Sequence, residues 1–462
     1  MKHPFISGLD SRMATMAQAC TQCGECVRAC PMPATAGQTL HEPDVVAGGM
    51  LDWLRHDGTE DGASVHAGRG RALDWANLCA GSGACIDACP EALNPRFMVA
   101  MVRQASKRTK ALKDRRAHGR AMFKDMSRGL RVLTRMQLAP ALLERFSSAN
   151  ASADQVVPDL VFYTGCNLLK TPHIGLLCLD VLDALEVTYD VQGGPQSCCG
   201  VFQTRSGDDE NALRQGIRTL DRFAATKTAR VLSWCPTCEI QFRETTLPVR
   251  AQHLQVGPIE AQPSTGFDMT MFPLYLVERL DELKPLLRYP VNKRVALHEH
   301  PGSPGVTEAV VQLLSSIPGL EVVELGLPRV GYTLGSLGTV PHKRKQLIAE
   351  RLAATEAAGA TTLAGVFHSD HRELAAHEGQ WPFEIVNYME LLGEAMGIVR
   401  EDSFKRLKVM QDADAIIADC SALIEAHRLD LDEVREIVVK DLLGEQYLPI
   451  PRAQHDAALQ PA

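Results

Sequence analysis

Cysteine spacing constrains this chain more than any other feature. Residues 20–31 read Cys20-Thr-Gln-Cys23-Gly-Glu-Cys26-Val-Arg-Ala-Cys30-Pro31, and residues 79–90 read Cys79-Ala-Gly-Ser82-Gly-Ala-Cys85-Ile-Asp-Ala-Cys89-Pro90. The second run keeps the register of the first, with Ser82 where the second cysteine would stand. Three thiolates spaced C-x2-C-x2-C can hold three corners of a [4Fe-4S] cube, and the cysteine of the closing C-x3-C-P reaches a second cluster. Zinc is the alternative ligand for clustered thiols, and two runs ending in C-x3-C-P argue against it.

The 462-residue chain holds 14 cysteines. No apolar run reaches the roughly 18 residues needed to cross a bilayer, and the start, MKHPFISGLDSR, lacks the apolar core of a signal peptide. A cytoplasmic protein is therefore expected. Disulfides are rare in that compartment, so metal binding is the favoured use for so many thiols. A net charge of −8 argues against a nucleic-acid binder.

Helical patterns at 45–54 and 71–78 lie between the two runs. With them, the N-terminal region resembles the helical ferredoxin module of respiratory iron-sulfur subunits. That resemblance implies crossed ligands: Cys20, Cys23, Cys26 and Cys89 on one [4Fe-4S] cluster, and Cys30, Cys79 and Cys85 on another. The fourth corner of the second cluster is either the Ser82 oxygen or empty, which makes it a [4Fe-4S] or a [3Fe-4S] cluster. The succinate dehydrogenase branch of that group pairs a similar missing cysteine with a three-iron cluster. Pro31 and Pro90 each close a cluster loop where a helix cannot continue. Residues 107–135 then carry eleven Lys and Arg against Asp114 and Asp125. This stretch reads either as a docking helix for an acidic redox partner or anionic membrane, or as a solvated linker helix.

In the middle of the chain, a strand at 160–164 ends in Gly165-Cys166 and a helical pattern follows to 185. A second strand at 186–191 leads to Cys198-Cys199-Gly200. A helix at 208–225 and a strand at 229–234 then deliver Cys235-Pro-Thr-Cys238. Alternating strands and helices imply a parallel sheet, whose strand carboxyl ends collect ligands. All five thiols fall there and can converge. Gly165 and Gly200 allow backbone to approach a cluster closely, and their N–H groups can donate to its sulfur. The pattern C-x31-C-C-G-x34-C-x2-C resembles the cysteine-rich, or CCG, domain of heterodisulfide reductases. The resemblance implies that Cys166, Cys198, Cys199, Cys235 and Cys238 hold a noncubane [4Fe-4S] cluster where disulfide sulfur is reduced. Cys178 and Cys420 sit in apolar helices and read as small buried hydrophobes.

From residue 293 the same order of elements recurs: strand 294–297, helix 306–315, strand 321–325, helix 344–357 and strand 361–367. Such a duplication is usual in the CCG family, yet none of the five cysteines recurs. His298 and His300 stand near the first slot, and His368 and His371 reproduce the C-x2-C spacing. These four admit three readings: a mononuclear zinc or iron site, a purely structural half, or proton delivery near neutrality. Gly331, Gly335 and Gly338 do not form a nucleotide-binding fingerprint. Residues 383–392 read as one amphipathic helix beyond a boundary at 381–382, and the tail from 449 as disordered.

The expected architecture is an α/β protein with an N-terminal, mainly α-helical two-cluster ferredoxin domain and two Rossmann-like parallel α/β CCG repeats. The divisions are 1–105 for the dicluster module, 106–154 for a basic linker, 155–288 for the five-cysteine CCG domain, 289–448 for the degenerate repeat and 449–462 for the tail. The whole resembles the fused iron-sulfur subunits of heterodisulfide reductase. That implies a thiol/disulfide oxidoreductase subunit acting on a disulfide or persulfide. Its partners would be a flavoprotein or a membrane quinone-linked subunit, which could hold it at the inner membrane, and a small thiol or sulfur-carrier protein. A non-catalytic relay between a flavin dehydrogenase and a quinone-reducing membrane partner is the alternative. A docking protein whose clusters only stabilise the fold is a third reading.

Overall fold

The computed structural model describes residues 4–56, 67–147, 157–254 and 267–460. The end of the basic linker expected at 106–154 lies outside these residues from 148 on. Helices Pro4–Ala19, Pro43–His56, Arg69–Leu78 and Pro95–Lys107 frame the N-terminal region. Asn94 accepts from the Phe97 N–H at 2.9 Å and Pro95 takes the first helical position, which together start the last of these helices. Its apolar stripe, Phe97, Met98, Met101 and Val102, packs on Val46, Met50 and Trp75. Two one-turn helices, Glu25–Arg28 and Ala84–Asp87, carry Cys26 and Cys85, the third position of each run. Each is entered through a left-handed glycine, Gly24 at φ 76° and Gly83 at φ 87°, a conformation that a side chain would strain.

Eight strands follow in two sheets: β1 (Leu160–Gly165), β2 (Tyr189–Gly193), β3 (Arg230–Ser233), β4 (Asp268–Met271), β5 (Arg294–His298), β6 (Glu321–Val323), β7 (Thr362–Gly365) and β8 (Glu384–Asn387). Both sheets are wholly parallel, with orders β2-β1-β3-β4 and β6-β5-β7-β8. The fold is thus a helical ferredoxin-type region followed by two parallel α/β halves of one topology. All six residues of β1 are buried, as a strand covered by helices on both faces requires. The halves share a core in which Phe162 and Leu232 join Val295, Leu297 and Ala364. Trp234 stacks on Tyr388 across the two, with centroids 5.9 Å apart.

Two expectations change. Residues 383–392 are not one helix: β8 occupies Glu384–Asn387, and the helix Tyr388–Met396 begins after it, capped by Asn387 and Glu390. Strands of four residues, β4 and β8, are too short to declare a period of two. The tail is ordered as a 3-10 turn, Arg452–Gln454, and a helix, His455–Leu459, because His455 and Arg452 both pack on the Trp381 ring. The basic stretch forms a helix, Leu112–Arg135, in which Arg116, Arg128 and Arg131 pair with acids of this same chain. Arg128 bonds Glu433 and Glu436, and Arg116 bonds Glu210 at 3.1 Å.

Arg96, 7% exposed, ties the three parts together. Its Nη1 donates to the carbonyls of Gly81 at 2.9 Å and Gly302 at 2.7 Å, and its Nε donates to Glu244 at 2.9 Å. Among the described residues no helix is long and apolar enough to cross a membrane.

Candidate iron-sulfur centres and histidine pockets

The helical region separates its seven cysteines into two sets. Cys20, Cys23, Cys26 and Cys89 line one small cavity. Burial, then Cys20, Cys23 and Cys89, pushes the Cys26 thiol up to about 12. Burial, then Cys79 and Cys30, likewise raises Cys85. Thiolates in such surroundings need a cation beside them, which iron supplies. Ser82, buried, lies in the loop of the second set, and its Oγ accepts the Gly331 N–H at 2.9 Å. Arg103 Nη1 reaches the Cys79 carbonyl at 3.2 Å and Thr339 reaches that of Leu78 at 3.3 Å, so the second cluster loop is seated on the second half.

Cys166, Cys198, Cys199, Cys235 and Cys238, all buried, gather past the carboxyl ends of β1, β2 and β3. Each thiol neighbours the next in the order Cys166, Cys198, Cys199, Cys238, Cys235, closely enough to shift its titration. Hydrogen bonds from Cys166 and Cys199 hold Cys198 well below the ordinary thiol value, and one from Cys238 brings Cys235 to about 7. The Gly200 N–H donates to Cys198 Sγ at 3.4 Å, and Tyr163 Oη lies 3.5 Å from Cys238 Sγ. Gly165, at φ 67°, leaves a cradle: a Cβ there would come within 2.9 Å of Cys235 Cβ and 3.3 Å of Cys238 Sγ. Five soft donors around a cradle of this kind fit an iron-sulfur cluster.

Two neighbours of this site carry no sequence signal. Met126 and Leu130 of the Leu112–Arg135 helix pack with Phe123 and Phe202 against Cys166 and Cys198. A cleft of about 320 Å³ lies where the three parts meet, bordered by Cys79 of the second cluster loop and by Thr237 between Cys235 and Cys238. Arg96, Arg103, Lys107 and Arg205 line it against one carboxylate, Glu244. Cys178 and Cys420 are buried in apolar clusters, as their neighbours suggested.

His298, His300, His368 and His371 of the second half do not converge on one point. His298 and His300 meet Asp370, with one donor atom of each within 4.8 Å of the others. His371 instead joins His173, Glu390 and Asp402, and His368 enters neither group. The reason is a shift in register. Cys235 is the N-cap of its helix, two residues past the end of β3, and Cys238 stands three further on. In the second half Phe367 is the N-cap two residues past β7, so Asp370 takes the position of Cys238. By the same register, Tyr163 pairs with Ser233 as His298 pairs with Gly365. His298 therefore replaces Tyr163, and His300 fills the place that Gly165 leaves open. Burial pushes His298 and His368 well below the usual histidine value, so these two do not titrate near neutrality as proton delivery requires.

The other group is compensated internally. His371 Nε2 lies 2.6 Å from Asp402 Oδ2, and His173 lies 3.4 Å from Asp402 and 3.6 Å from Glu390. Burial opposes charge on Asp402, yet His173 and His371 hold it well below the ordinary carboxylate value.

Comparison with known proteins agrees with this layout. A family model described as a 4Fe-4S dicluster domain matches residues 19–93, and one described as a cysteine-rich CCG domain matches residues 160–243. No curated protein matches the chain. The molecule is an iron-sulfur electron-transfer protein with a CCG domain, and a dicluster domain implies two [4Fe-4S] clusters.

Proposed function

We propose that this chain is the iron-sulfur subunit of a heterodisulfide reductase-like thiol/disulfide oxidoreductase. The cleft carries the reading, because one space touches both the loop of Cys79 and the loop of Cys235 and Cys238. In this reading Cys20, Cys23, Cys26 and Cys89 hold the first cluster, and Cys30, Cys79 and Cys85 hold the second. Ser82 supplies the fourth ligand of the second, since the Gly331 N–H would stabilise negative charge on its oxygen. The five thiols of the first α/β half hold a noncubane [4Fe-4S] cluster, which supplies one-electron chemistry at sulfur.

The net reaction consumes two electrons and two protons per disulfide, RSSR + 2e− + 2H+ giving 2 RSH. The electrons come from a flavoprotein or quinone-linked partner subunit. A sulfur oxidiser would run the same steps backwards, and a protein-bound persulfide is a substrate of the same class. The residues around the cleft bind and orient: Arg96, Arg103, Lys107 and Arg205 favour an anionic thiol or the acidic surface of a carrier protein.

One observation favours a second reading. Cys198 and Cys199 are at most 1% exposed, as suits a non-catalytic relay between a flavin dehydrogenase and a quinone-reducing membrane partner. Oxidative titration of anaerobic protein, followed by EPR, separates the two. A paramagnetic state of the five-cysteine site that changes on adding thiol supports the oxidoreductase, and a signal indifferent to thiol supports the relay.

A further inference from the structure

We propose that His298, His300 and Asp370 form a mononuclear site for a divalent first-row transition metal, zinc or ferrous iron. At least one coordination position remains for water or an incoming donor. Both ring nitrogens of His298 have no hydrogen-bond partner, and His300 Nε2 and Asp370 Oδ2 have only each other, at 3.4 Å, although His298 and His300 are 4% exposed and Asp370 0%. Buried polar atoms left without partners are costly, and here the His298 ring leaves two of them beside a His300–Asp370 contact that is not a hydrogen bond. A single cation would satisfy a donor from each, since one donor atom per residue falls within 4.8 Å of the others.

The surroundings hold those donors in orientation. His300 Nδ1 donates to the Val330 carbonyl at 2.8 Å, which leaves the Nε2 lone pair facing the pocket. Asp370 Oδ1 accepts the Leu334 N–H at 2.8 Å, which leaves Oδ2. Ligating imidazoles and carboxylates are commonly fixed by such outer bonds. Two imidazoles and one carboxylate with no sulfur suit zinc or ferrous iron and leave coordination open. The histidine and acid group around Asp402 is different: it closes on a 2.6 Å hydrogen bond between His371 and Asp402 and sets two carboxylates against two imidazoles.

The site occupies the place in the second half that the five thiols occupy in the first. It is also wired to the second cluster loop. The peptide group between Val330 and Gly331 accepts from His300 at its carbonyl and donates to Ser82 Oγ at its N–H. This inference does not depend on which reading of the electron-transfer chemistry holds.

Metal analysis of full-length protein, purified without oxygen from zinc- and iron-supplemented medium, tests it. One arm expects about one zinc per chain, with a zinc K-edge shell of nitrogen and oxygen at roughly 2.0–2.1 Å and no sulfur shell. The other expects iron in excess of acid-labile sulfide, with a high-spin ferrous Mössbauer doublet. In both, Asp370→Asn and His298→Gln bind the ion at least tenfold more weakly while the cluster EPR signals are unchanged. Wild-type protein with no metal beyond its cluster iron, zinc with a sulfur shell, or full metal content in both variants would overturn the assignment. Should the variants fail to fold, the wild-type count and its spectra decide alone.

Discussion

The two α/β halves share strand order and a core, and differ in what stands past the ends of their first and third strands. In the first half a glycine clears the space and five thiols surround it. In the second, His300 fills that space, and Asp370 and His298 replace Cys238 and Tyr163. The scaffold therefore does not need its cluster ligands to form, because hydrophobic burial between strands and helices stabilises it. Ligand identity is a separate layer, carried by a few loop positions that the sheet brings together.

That separation can be broken experimentally. The largest effect is expected for Cys235→Ser, which removes one of the five thiolates. Iron should fall by about four atoms per chain from about twelve, with secondary structure by circular dichroism retained. Global unfolding would show that the first half, unlike the second, depends on its cluster. Breaking the clamp common to both halves comes next. Arg96→Gln leaves Glu244 buried without its cation, a loss of about 3–5 kcal/mol measurable by denaturant titration; a loss under about 1 kcal/mol would mean the ion pair is a rim contact.

Gly165→Ala and Gly365→Ala form a sharper pair, one strand-end glycine from each half. A Cβ at Gly165 would meet Cys235 at 2.9 Å from a left-handed backbone, whereas at Gly365 the nearest atom is the His371 nitrogen at 3.7 Å, an ordinary contact. The first substitution should displace the five-thiol centre and its EPR signal. The second should change stability by no more than about 0.5 kcal/mol. Ser82→Ala should cost about 1–3 kcal/mol by orphaning the Gly331 N–H and lower the iron count by about one. An unchanged count would mean that Ser82 is only a docking contact.

The smallest effect concerns pH. Burial, followed by Arg103 and Arg205, lowers Lys107 to about 8. Its ammonium is therefore present below that value and lost above it. Affinity of an anionic thiol for the cleft should decline as pH rises through about 8, and Lys107→Met should flatten the profile. Isothermal titration across pH 7 to 9 would show a slope in wild type only.

Much of this was legible in the sequence because thiol chemistry leaves a spacing record. The runs at Cys20 and Cys79, and the order Cys166, Cys198, Cys199, Cys235 and Cys238, announce cluster loops without any knowledge of packing. The repeat is legible for a related reason: strands and helices alternate at the same intervals in both halves, and apolar periodicity survives the loss of every ligand. Histidine and aspartate carry no such record. Spacing alone paired His368 with His371, and the helix start decided otherwise, since its N-cap is Phe367 and the position three residues on is Asp370.

What the sequence determined by itself is the set of candidate thiols and the order of elements, because short-range spacing and periodicity are local properties of a chain. Only tertiary structure decided that the Leu112–Arg135 helix covers Cys166 and Cys198. It alone seated the Ser82 loop on Gly331 and gathered His298, His300 and Asp370 in one pocket. Those contacts join residues tens to hundreds of positions apart. They exist because burying apolar faces brings sheet ends and cluster loops into one space, which no local pattern encodes.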